Sequence, residues 1–155
     1  MFIHIVLDRL RSAYNTGNIF RLADAVGNAE IITCGYTPHP PHSKLAKTAM
    51  GADNFVPFRV FSNSSDAVLK LREEGVLQIF AVEYLIEGKC PWELSFADDV
   101  AFVFGNEAFG VAPQTIKLCD GVISLPLFGK KSSINVANCA AAVLYSFLAK
   151  KRQHI

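Results

Sequence analysis

The chain has 155 residues, 51% of them hydrophobic and 12 of them phenylalanine, which is ample apolar material for one domain to fold without covalent staples. Its four cysteines form no CxxC pair and no apolar run approaches the roughly 20 residues of a membrane span, so a zinc centre, a disulfide framework and a transmembrane anchor are unsupported. The net charge of +1 hides an uneven distribution: Lys and Arg against Asp and Glu number 6 and 4 over residues 1–60, 4 and 10 over 61–120, and 5 and 0 over 121–155. If folding joins the two ends, a basic face able to meet phosphates lies beside an acidic middle.

The first candidate strand is FIHIVL (2–7). No basic segment precedes it and no small-residue cleavage site follows, so export is not indicated and a reducing, cytoplasmic setting is expected. RSAYNTGNIFR (11–21) comes next, where Asn15 or Thr16 is placed to cap a helix over about 17–26 that Gly27 ends. EIITCGY (30–36) reads as a second strand, and PHPPHS as a proline-stiffened loop whose His39 and His42 lack companion ligands at metal spacing. A helix over 43–50 follows, capped by Ser43 and stopped at Gly51. Strand FVPFRVF (55–61), helix 65–74 between Ser65 and Gly75, strands LQIFAVE (77–83) and VAFVFG (100–105), helix 113–119 and strand GVISLPL (121–127) continue the pattern. Several runs lack apolar and polar alternation, as strands covered on both faces do. The chain therefore reads as one α/β domain over 1–155, with a mostly parallel sheet flanked by helices.

The last helix, from about Ser133, has little polar surface. Val136, Cys139, Ala140, Val143, Leu144, Phe147 and Leu148 make an apolar stripe, while Ala141, Ala142 and Tyr145 leave much of the other side weakly polar. One sheet face cannot hide all of that, and burial against a second copy in a homodimer is expected.

Three polar, glycine-bearing segments interrupt the apolar pattern at strand ends, the edge where open α/β sheets bind ligands. In NTGNIFR, Gly17 permits close backbone approach and Arg21 follows; a capped helix with an exposed arginine and an anion-binding loop are both compatible with it. FGNEAFG (104–110) turns sharply around Asn106 and Glu107 but does not match GxGxxG. SLPLFGKKSSINVAN (124–138) contains GKKSS, yet residue 124 is Ser and Lys131 separates Lys130 from Ser132, so it is no Walker A loop. Ser133 is placed there as a helix cap.

Taken in order, these segments resemble the three signature motifs of the SpoU or TrmH group within the SPOUT superfamily of RNA methyltransferases. Asn15, Gly17 and Arg21 match NxGxxxR; VFGNEAFG matches a strand followed by GxE and a glycine; LPLFGKKSSINVA matches I-P-M, a glycine, and S-L-N-V-S. KTAMGAD (47–53) is similar to a KTALGAE segment of the group. The resemblance implies an S-adenosylmethionine (SAM) dependent ribose 2′-O-methyltransferase of tRNA or rRNA, a dimer, with a C-terminal trefoil knot that strand patterns alone never suggest. By position, Val82, Gly105, Asn106, Leu125, Leu127 and Ile134 would hold the cofactor. Arg21 would face the RNA, with Asn15, Glu107, Ser133 and Asn135 orienting it and the cofactor. A free guanidinium has a pKa above ~12, so a clamp on phosphate and developing alkoxide is an easier role for Arg21 than that of base. Ala137 stands where the family has its last Ser, and Ile134, Leu125 and Leu127 replace Leu, Ile and Met. No counterpart to the N-terminal RNA-binding extension of many relatives precedes the first motif, so target recognition is expected from the dimer or a partner. The competing reading is a non-catalytic SAM- or RNA-binding protein with the same knotted fold.

Overall fold

A computed structural model describes residues 1–84 and 87–152. Six strands, β1 (Phe2–Asp8), β2 (Ala29–Cys34), β3 (Phe58–Phe61), β4 (Gln78–Val82), β5 (Asp99–Gly105) and β6 (Gly121–Ile123), form one sheet in the order β3-β2-β1-β5-β4-β6. Every pairing is parallel. Among the described residues five α-helices surround it: α1 (Ala13–Val26), α2 (Ser43–Ala49), α3 (Ser64–Glu73), α4 (Pro113–Ile116) and α5 (Val136–Arg152). None of the described helices is long and apolar enough to cross a membrane.

The absence of alternation in the strands has the expected cause. Ile3, Ile5, Leu7, Phe102 and Phe104 point to one face, where they meet α1 and α5 residues such as Phe20, Val143 and Phe147. Val6, Ile32, Ala101 and Val103 point to the other, against Ala67, Val68 and Leu71 of α3. Both faces are therefore dry, and an apolar residue is favoured at nearly every position of β1, β2 and β5. The chain adds strands outward from β1 through β2 to β3 on one side and places β5, β4 and β6 on the other, which leaves a crevice beyond the C-terminal ends of β1 and β5.

Local boundaries differ from expectation in ways that matter for the site. α1 begins at Ala13, so Asn15, Thr16 and Gly17 are helical, and the cap is Ser12, whose side chain accepts from the Asn15 N–H at 3.1 Å. His42 rather than Ser43 caps α2, and Asn63 rather than Ser65 caps α3. Strand β3 starts only at Phe58, because Pro57 cannot donate to a ladder and 52–54 form a 3-10 turn. Strand β6 ends at Ile123, and the LPL that was expected to continue it leaves the sheet. Asn135, not Ser133, caps α5: its Oδ1 accepts from the N–H groups of Ala137 and Asn138 at 2.9 and 3.2 Å.

Gly17 does permit close approach, but of protein rather than ligand. A Cβ there would stand 2.1 Å from Thr48 Oγ1 and 2.2 Å from the Leu45 carbonyl oxygen, so bare backbone lets α1 lie against α2. Alanine is the better helix former by about 1 kcal/mol. The clash with fixed backbone outweighs that gain, and Gly17→Ala is expected to destabilise by about 2 kcal/mol, a fall in Tm of roughly 4–8 °C by thermal melting. A raised Tm would show that α1 and α2 do not meet this closely.

Candidate active site

The crevice beyond β1, β5 and β4 is a cleft of about 620 Å³. Val82, Phe104, Leu125, Leu127 and Ile134 give it apolar walls, while Glu83, Asn106, Glu107, Ser132, Ser133 and Asn135 bring polar groups to it. Each position expected to hold a cofactor, Val82, Gly105, Asn106, Leu125, Leu127 and Ile134, lines this cleft. Leu125 and Leu127 reach it because the chain leaves the sheet after β6.

Residues far apart in sequence meet at its edge through one hydrogen-bonded chain. Glu107 accepts from the backbone N–H groups of Arg11 (2.9 Å) and Ser12 (3.1 Å) at the start of α1, and from Asn15 Nδ2 (3.1 Å). Asn15 Oδ1 in turn accepts from Asn135 Nδ2 at 3.0 Å. Each of the three polar segments thus contributes one member. Partial burial by itself would push the Glu107 carboxyl up, but the donors on Arg11, Asn15 and Ser12 hold it below the ordinary carboxylate range.

Asn106 lines the cleft with its side chain engaged inside the protein. Its Nδ2 donates to the Arg9 carbonyl (2.7 Å) and to Tyr36 Oη (2.9 Å), and its Oδ1 accepts from the N–H groups of Ala108 and Phe109. The side chain is 4% exposed and its hydrogen-bonding capacity is spent on shaping the 105–110 turn. Its backbone is engaged in the same turn: the N–H donates to the Gly110 carbonyl at 3.1 Å and the carbonyl accepts from the Gly110 N–H at 2.9 Å. Gly105 likewise serves the turn, since a Cβ would stand 2.1 Å from the Val111 nitrogen.

Arg21 stands apart from this cleft. It lies six positions beyond Asn15 on α1, about 9 Å along the axis, and is exposed on the face shared with Tyr14 and Asn18. It does not line the cleft. Ser133 does, with an exposed side chain.

Two features escaped the sequence reading. Glu83, just past β4, lines the cleft and its Oε2 accepts from the Val111 N–H at 2.7 Å. A carboxylate at the end of a parallel strand was the signal available for it. A second groove of about 360 Å³, beside the start of α1, carries Arg11, His42 and Lys44. Arg11 is some thirty residues from His42 and Lys44 in sequence and meets them only through the packing of α1 on α2.

The family model described as the SpoU rRNA Methylase family matches residues 2–145. The chain belongs to this family. The 23S rRNA (guanosine-2′-O-)-methyltransferase RlmB of Neisseria meningitidis is 30% identical over 141 residues, covering 90% of this chain and 55% of the relative. The tRNA (guanosine(18)-2′-O)-methyltransferase of Thermus thermophilus is 28% identical over 141 residues, covering 91% and 71%. The crystal structure of the SpoU methyltransferase AviRb from Streptomyces viridochromogenes in complex with the cofactor AdoMet superposes with a TM-score of 0.87 at 26% identity, covering 97% of this chain and 58% of that one. The chain spans little more than half the length of the first curated relatives it matches. Membership of the SpoU family accounts for the order of the three segments along the chain.

Proposed function

We propose that the protein is a SAM-dependent RNA methyltransferase acting on a ribose 2′-hydroxyl of tRNA or rRNA. The observation that carries this reading is the Glu107–Asn15–Asn135 chain, which joins the three family segments at one edge of the cleft. The related enzymes named for 2′-O-methylation of 23S rRNA and tRNA support the reaction class.

The donor set suits SAM. Apolar walls from Val82, Leu125, Leu127 and Ile134 offer room for an adenine, and Glu83 and Glu107 supply negative charge for a sulfonium. At about 620 Å³ the cleft lies in the range typical of cofactor sites. When bound, SAM supplies the electrophilic methyl group. Asn15, Glu107 and Asn135 fix the loops around it, Ser133 faces it, and Arg21 holds the RNA phosphate and stabilises the charge that develops on the 2′-oxygen as its proton passes to water.

Arg21 performs that role from the other copy of a homodimer. Support comes from its exposure away from its own cleft and from the outward side of α5, where Asn138, Ala142, Tyr145 and Ala149 are exposed with no charge among them. The trefoil path belongs to the same reading. Support for it comes from the pairing of β6 with β4 on one side and of Ile123 with Lys89 on the other. The whole chain acts as one SPOUT domain in the cytoplasm.

Incubation with methyl-labelled SAM and total tRNA or rRNA tests the function. Label is expected at ribose positions, where a 2′-O-methyl group makes the adjoining phosphodiester resistant to alkali. SAM binding without methyl transfer to any RNA would leave a non-catalytic binding protein instead.

A further inference from the structure

The segment 124–135 leaves the sheet without regular structure, and its side chains sort by direction. Leu125 and Leu127 are partly buried and line the cleft, whereas Pro126 and Phe128 face out. Phe128 is 95% exposed, the most exposed large apolar side chain described. Lys130 and Lys131 follow within three residues and are exposed as well. Phe109, on the 105–110 turn that also lines the cleft, is 77% exposed.

We infer that Phe128, flanked by Lys130 and Lys131, is a stacking platform for an unpaired nucleobase of the RNA substrate at the mouth of the cleft. The inference rests on the RNA-methyltransferase reading and adds how the RNA is gripped. An aromatic ring held in water beside paired cations matches the chemistry of a single-stranded nucleotide, whose base offers a π-face and whose phosphates offer negative charge. Two other occupants fit less well. SAM would meet the inward Leu125 and Leu127, not the outward ring. A second copy meeting this patch across a two-fold axis would bring four lysines together, and lysine is depleted at interface cores.

Phe128 directly follows Leu127, which lines the cleft, so the platform selects a target nucleotide that is already unpaired or readily extruded. Stacking contributes little base identity, because every base has a π-face. Charge from Lys130 and Lys131 adds salt-dependent affinity that is also blind to sequence. Recognition at this lip is therefore of single-strandedness rather than of a particular base.

Full-length Phe128→Ala, Phe128→Trp and wild-type protein are compared for binding to total tRNA and to deproteinised rRNA, for SAM affinity by calorimetry, and for mass by sedimentation. Phe128→Ala is expected to weaken RNA binding by roughly 5- to 100-fold, with Phe128→Trp near wild type and with SAM affinity, mass and Tm unchanged. Unchanged RNA affinity in Phe128→Ala would overturn the inference. So would a fall in mass, which would make the ring part of an interface between copies, or a loss of SAM affinity alone, which would make it a cover over the cofactor. Wild-type protein that binds RNA without transferring methyl would refute the proposed enzyme while the Phe128 comparison still decides the platform; wild type that binds no RNA refutes both.

Discussion

Arg21→Lys is expected to cut methyl transfer on the order of 10²- to 10³-fold while leaving SAM affinity within about twofold of wild type. Lysine keeps the charge but loses the planar fork that grips two oxygens at once, so a residue acting as a bidentate clamp does not survive the exchange. Its place on the exposed face of α1, away from its own cleft, explains why SAM binding is spared. The same placement predicts complementation. Copies carrying Arg21→Ala are mixed with copies carrying Asn135→Ala under conditions that allow exchange. Half the dimers are then mixed, each with one intact cleft facing one intact Arg21, and activity is expected to recover to about a quarter of wild type. Recovery of none would place Arg21 with its own cleft, and near-full activity of Arg21→Lys would refute the clamp.

The second large effect is at Glu107. In Glu107→Gln, an amide replaces the carboxylate facing the N–H groups of Arg11 and Ser12 and the Asn15 amide, so at least one donor meets a donor. Charge-assisted hydrogen bonds of this kind are worth about 1.5–3 kcal/mol each, reduced here because Glu107 is exposed to solvent. A net cost of about 2 kcal/mol is expected, a Tm lower by roughly 4–8 °C. Methyl transfer falls further, on the order of 10²-fold, because Asn15 loses its anchor and Asn135 loses its alignment. The pH dependence follows from the depressed pKa. A carboxyl held below its unfolded value of 4.5 contributes stability that is fully present above that value and is lost as pH falls through the lower folded value. Wild type therefore loses this part of its stability below about pH 4.5, and Glu107→Gln should show a flatter acid limb in thermal melts across that range. An equally steep limb in the variant would assign the acid sensitivity elsewhere. Glu30 is the obvious candidate, held low by His4 and Arg59 against the upward push of its burial.

Much of the fold was legible because strand and helix runs are written in residues two to four positions apart. The dry strands β1, β2 and β5 announce themselves by continuous apolar character. The capping residues were harder, since Ser12 and Asn15, His42 and Ser43, and Asn63 and Ser65 are all competent caps within three positions of each other. Which one serves depends on where the packed helix must begin. Strand β6 was overextended because Leu125 and Leu127 look like strand residues; their partners are the walls of the cleft rather than a neighbouring strand.

By itself the sequence determined the α/β class, the parallel sheet and the three polar segments that meet at the cleft, because periodicity, glycine placement and motif spacing are local properties of the chain. Tertiary structure decided what those segments do. It made Gly17 a contact between helices, turned the Asn106 side chain to the support of its own turn, and left Arg21 outside the cleft. It also brought Asn15 to Glu107 and to Asn135 across 92 and 120 positions of sequence. No local rule reaches that far. Those meetings follow from the strand order, which puts the ends of β1 and β5 side by side and closes α5 against α1.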